Sequence, residues 1–157
     1  MREFSKVSPA IWSSPKFRGL PDDARQALLY FITSAHQNAC GCFALPDGYA
    51  ITDLQWALER FRLARAALVD ASMILFDEAT SEVLVAKWFQ HNPPMNPSHR
   101  KSVIAAVERI ASDVLRAEAY KALAEAESQA RTKNEARSAN ASVPLLRTPH
   151  LARSRLS

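Results

Sequence analysis

Apolar residues recur at helical spacing over residues 20–37, where Ala24, Leu28, Phe31, Ile32 and Ala35 share one face. Leu20-Pro21-Asp22-Asp23 opens this segment with a proline in the first turn and two acids at the positive end of the helix dipole; Asn38 and Gly41 close it. Residues 41–45 are a short strand candidate ended by Pro46-Asp47-Gly48. Two further helices are predicted over 47–54 and 57–71, with only Gln55 and Trp56 between them. Residues 73–76 and 83–89 are rich in strand formers, and the polar stretch 77–82 joins them as a hairpin. Three prolines between His91 and Pro97 make a rigid linker. Beyond it Val103, Val107, Ile110, Val114 and Leu115 predict one long helix over 98–123. At the other end, Pro9 and Pro15 limit residues 2–19 to short helical turns, with Trp12 and Phe17 tucked onto the core.

Two helices joined by so short a turn form a helix-turn-helix, and a hairpin directly after the second helix is the wing of a winged helix. The expected fold is mainly α with a small β-hairpin, a winged helix-turn-helix plus a long C-terminal helix. Its divisions are residues 1–95 for the winged-helix domain, 96–131 for the long helix and 132–157 for a basic tail. That tail has no periodicity, is dominated by Ser, Arg, Asn and Pro, and is expected to be disordered.

Charge refines this picture. The formal net charge is +4, but residues 131–157 hold six of the basic side chains and one glutamate, leaving 14 basic and 15 acidic side chains in the other 130 residues. The folded body is therefore nearly neutral, and any affinity for a polyanion must come from local patches. No apolar run approaches a membrane span, and the N-terminus lacks the pattern of a secretory signal, so a cytoplasmic protein without membrane contact is expected. Cys40 and Cys42 are then reduced thiols.

Ile11-Trp12 with Phe17, Leu20-Pro21 with Ala24-Arg25 and Leu28-Leu29, and Gly41 with Leu45-Pro46 carry a resemblance. It continues through Asp53-Leu54 with Trp56, Met73-Ile74, the run Val83-Leu84-Val85-Ala86-Lys87-Trp88-Phe89, His91-Asn92 and Asn96-Pro97. Over roughly residues 5–110 the chain resembles the winged-helix domains of phage and plasmid replication proteins, of the replisome-organiser and primosomal type. The resemblance implies a non-enzymatic, duplex DNA-binding role in replication initiation or replisome organisation, with replication proteins as further partners. Arg65 and Ser72 depart from the family's Leu-x-x-Leu and Ala-Gly pattern at the end of the third helix, and Arg65 is expected to snorkel from the core edge. Larger members also carry a helicase-loading or ATPase region, for which 157 residues leave no room.

Candidate contacts follow from the fold. The recognition helix turns Phe61, Ala64 and Leu68 inward and leaves Glu59, Arg60, Arg62, Leu63 and Ala66 toward solvent. Arg60 and Arg62 are the candidates for base edges. Lys87, Arg100, Lys101, Lys16 and Arg18 are the candidates for phosphates, with Lys6 and His99 beside them. The acidic wing tip, 77–82, argues against deep wing insertion. His36, Cys40 and Cys42 lack a fourth ligand at a usual spacing, so no metal is expected. Three glycines cannot build a phosphate loop, and no acid–base or nucleophile grouping converges, so neither a cofactor nor catalysis is expected. Two alternatives remain: a transcriptional regulator, dimeric on a palindromic site, and a protein adaptor using exposed Leu63 and Val69. A heptad-like seam of Val103, Val107, Ile110, Val114 and Ala117 leaves a homodimer through 98–123 open.

Overall fold

A computed structural model describes residues 5–141, with side chains to residue 138. The chain is mainly helical around one small antiparallel sheet. In order, the elements are α1 (Pro15–Arg18), α2 (Asp22–Thr33), β1 (Cys42–Ala44), α3 (Asp47–Leu54), α4 (Leu58–Asp70), β2 (Ile74–Asp77), β3 (Glu82–Val85), α5 (Trp88–His91), α6 (Pro97–Glu108) and α7 (Asp113–Ala141). The sheet order is β1-β3-β2, with Phe43 opposite Val83 on one side and Phe76 opposite Val83 on the other. β3 is central and all four of its residues are buried, as a strand covered on both faces must be. No helix among the described residues is long and apolar enough to cross a membrane.

The short helices begin where local chemistry places them. Ser14 caps α1 by accepting from the Phe17 amide, with Pro15 in the first turn. α2 carries Asp22 and Asp23 in its first turn and buries Ala24, Ala27, Leu28 and Phe31. It packs against α4 through Phe31 and Phe61, whose rings lie 6.1 Å apart. Phe17 is buried as expected, but Trp12 is 62% exposed and touches it edge-on.

Three boundaries differ from the sequence pattern. α2 ends at Thr33 rather than near residue 37. The Gln37 side chain turns back to donate to the Phe31 carbonyl and Asn38 holds both the Cys40 amide and the Cys42 carbonyl, so side chains replace the last helical turn. The run 83–89 is a strand only to Val85. Lys87 then takes a left-handed backbone conformation and Trp88 and Phe89 enter α5. Strand alternation would turn only one of these two aromatics inward, whereas a helical turn buries both. Trp88 lies so close to Gly41 (φ +75) that a Cβ there would sit 2.3 Å from its Cγ, so only glycine fits.

The third difference is the largest: the single helix expected over 98–123 is two. α6 stops at Glu108 and α7 starts at Asp113. The break is held by Glu82 on β3, buried at 6% exposure, whose carboxyl oxygens accept from the amides of Ala111 and Ser112 at 3.0 and 2.8 Å. Ser112 then caps α7 by accepting from the Leu115 amide, and Arg116 donates to the Ile110 carbonyl. Asp77, the strand partner of Glu82, is bonded by the Ser112 side chain, which holds its carboxyl below the usual range. Both carboxyl groups at the closed end of the hairpin thus grip one turn.

The same break dissolves the heptad seam. Val103, Val107 and Ile110 are buried, but Val114 is 68% exposed and Leu115, Ala119 and Leu123 take the inward positions of α7. A continuous face for a second copy over 98–123 is therefore absent. α7 also runs on through residues 132–141, where Ala, Glu, Arg and Lys dominate and no proline intervenes. The tail expected from 132 is helical over that stretch, and 142–157 lies outside the described residues.

Replacing Glu82 by Ala should strand two amides and cost about 1–3 kcal/mol of stability. Glu82→Gln, which keeps one acceptor, should lose less. Urea denaturation of the three chains checks this, and equal stability of all three would remove the carboxyl group from its structural role.

Candidate nucleic-acid interface

α3 and α4 are joined by Gln55, Trp56 and Ala57, with Gln55 in the left-handed conformation and Trp56 buried. This turn sets α4 across α2 with Phe61, Ala64 and Leu68 inward. Glu59, Arg60, Arg62, Leu63 and Ala66 are exposed, as their helical spacing predicts.

Each arginine of α4 is held by a carboxylate from another element. Arg60 makes a two-bonded pair with Asp23 of α2, at 2.8 and 2.6 Å, and its guanidinium stacks over Trp56 at 4.3 Å from the ring centre. Arg62 and Arg65 share Asp47, the first residue of α3, at 2.8 and 2.5 Å. Arg65 lies over the Phe76 ring at 3.8 Å, so the expected snorkel is a stacked and paired side chain at the edge of the core. Glu78 of the hairpin is near enough to Arg62 to raise its pKa further, after the Asp47 bond. The α4 surface is therefore charge-compensated rather than basic.

Asp23 is held below the usual carboxylate range by the Arg60 hydrogen bond. For Asp47 partial burial pushes upward, but the hydrogen bonds from Arg62 and Arg65 outweigh it and the pKa falls. The local pattern marks Asp22 and Asp23 as helix-start residues and Asp47 as part of a turn. The available signal was acids at two helix starts and three arginines on one later helix, but no spacing rule pairs residues 15–37 positions apart.

The candidate phosphate ligands do not gather around α4. The Lys16 amine lies 3.5 Å from the Ala71 carbonyl, past the C-terminal end of α4. Lys87 sits beside it, because the Ala86 amide bonds Met73 at the start of β2. With a rise of 1.5 Å per residue, that end is roughly 16 Å along the axis from Arg60. Arg100 is paired with Glu127 of α7 at 2.5 Å, and α6 packs on α7. His99 accepts from the Met95 amide. Lys101 and Arg18 are exposed with no ion pair among the described residues.

His36 stacks on Tyr49 at 4.9 Å, away from a shared site with the cysteines. Cys40 and Cys42 are free and buried, and burial pushes both thiols up. Among the described residues no group of three or more His, Cys, Asp or Glu is placed to hold a metal ion. No protein-family model, curated protein or solved structure matches the chain.

Because the folded-state pKa of Asp47 is depressed, its contribution to stability is present above the ordinary value of 3.8 and fades as the pH falls through the lower folded value. Asp47→Asn should cost about 1–2 kcal/mol at neutral pH, being a partly exposed pair. The gap should narrow below pH 3.8. Denaturation curves of both chains at neutral and acid pH measure it, and a constant gap would deny the ion pairs.

Proposed function

We propose that this chain is a winged-helix protein that binds duplex DNA through α4, in the manner of phage-type replication initiators or replisome organisers. The observation that carries the reading is topological. A helix, a short strand, two helices joined by three residues and a hairpin follow in that order, and the lone strand β1 is the outer partner of β3. In such a unit the second helix of the pair is offered to the major groove.

Arg62, with Arg60 behind it, supplies the donors. Their pairs with Asp47 and Asp23 are about half exposed on the arginine side. Exposed pairs of this kind are worth about 0–1 kcal/mol, so exchanging a carboxylate for a phosphate or a guanine edge is inexpensive. The aspartates hold the guanidiniums extended until then. Glu59 and Glu78 oppose the phosphates, so affinity is modest and salt-sensitive. Lys16, at the C-terminal end of α4, and Lys87 are the further candidates for flanking phosphates.

One observation favours a second reading, a protein adaptor: Leu63 is 64% exposed at the centre of a charge-compensated helix face. There the apolar side chain, not the arginines, is the contact.

Binding of random-sequence duplex across a salt series should be seen with the full chain and with one ending at Ala141. Arg62→Ala should weaken it by about 1–3 kcal/mol. Glu59→Gln should strengthen it. Binding that needs residues 142–157 and ignores both substitutions would sink the DNA reading and leave the adaptor.

A further inference from the structure

A cleft of about 380 Å³ opens on the side of the molecule away from the first turn of α4. The N-terminal segment forms one wall, and α2, the open end of the β2–β3 pair and α5 form the others. Its floor is apolar: Leu28, Ile32, Met73, Val85 and Trp88. Three lysines, Lys6, Lys16 and Lys87, are among its lining residues, and among the described residues no aspartate or glutamate is. Elsewhere the arginines at 60, 62, 65 and 100 each have an acid within bonding distance. Here Lys6, Lys16 and Lys87 make no ion pair among the described residues, and Lys16 has only a long bond to a carbonyl. Lys6, Lys16 and Lys87 thus place uncompensated positive charge around a cleft with an apolar floor.

We infer that this cleft binds a small organic anion with an apolar body, such as a medium-chain or single-ring carboxylate. Its volume lies at the lower end of the roughly 300–1,000 Å³ of small-molecule sites, which suits a compact ligand. The apolar body displaces water from the floor, and the lysines neutralise the head group. Walls of low dielectric strengthen that attraction beyond what the same amines would exert on an open surface. The site is independent of DNA binding by α4.

The test is a fluorescence titration of the full chain with anilinonaphthalene sulfonate. One saturable site is expected, from which octanoate displaces the probe and octanol at equal concentration does not. The double variant Lys16→Glu with Lys87→Glu should bind the probe about tenfold more weakly, a change of ~1.4 kcal/mol. Lys133→Glu and Arg62→Ala should leave probe binding unchanged, which separates this site from the α4 surface. The octanoate–octanol comparison needs no variant, so it decides the matter even where the double substitution unfolds the chain. Equal displacement by octanol would overturn the inference, leaving only an apolar cleft. Displacement by a short DNA duplex would overturn it as well, making the lysines a phosphate surface.

Discussion

The Glu82 carboxyl group, buried between the sheet and the C-terminal helices, accepts the two amides of the 111–112 turn. A buried acid is tolerated only where hydrogen bonds repay its desolvation, and this turn supplies two well-formed donors. The consequence spreads in both directions. β3 is the central strand, so fixing its first residue fixes β1 and β2 beside it. The turn in its grip is the one that separates α6 from α7, so the bond sets the angle at which α7 lies over β2, β3 and α5. Without that anchor the apolar positions of α6 and α7 could fall on one continuous stripe. With it they fold back on the body.

Electrostatics on α4 follow a different logic. Its three arginines are pinned by Asp23 and Asp47, which come from the starts of α2 and α3. Carboxylates at those positions also favour the helix dipoles, so one acid serves both the helix that carries it and the neighbour across the groove. The pairs orient the guanidiniums at little cost in stability, leaving them exchangeable in the DNA-facing role proposed for α4. Lys16 and Lys87, at the opposite end of α4, are not compensated in this way. One small domain thus separates a neutral, structured helix face from a basic cleft, with the length of α4 between them.

Much of this architecture was legible in the chain because it rests on short-range rules. Prolines at 15, 21, 46 and 97 sit at or beside helix starts, the spacing of Ala24, Leu28 and Phe31 or of Phe61, Ala64 and Leu68 names the buried faces, and the mostly polar stretch 78–81 marks the hairpin turn. These depend on sterics and hydrophobic period within a few residues. The α6–α7 break left a local mark too, since Ser112-Asp113 is a good helix start. It was hidden by an apolar period that runs straight through it.

Helix caps, prolines and apolar period act along the chain, so they specify the order of the helices and the face that each of them buries. The contacts that tie one element to another arise only in the packed fold. Arg60 finds Asp23 across 37 positions, Arg62 and Arg65 find Asp47 across 15 and 18, and Glu82 finds Ser112 across 30. The packed fold also decides that Trp88 and Phe89 leave the strand, because Trp88 must lie on Gly41 and Phe89 in the core, both beyond the reach of any local pattern. Ion pairs and buried acids depend on distances through space, and those exist only once the layers have packed.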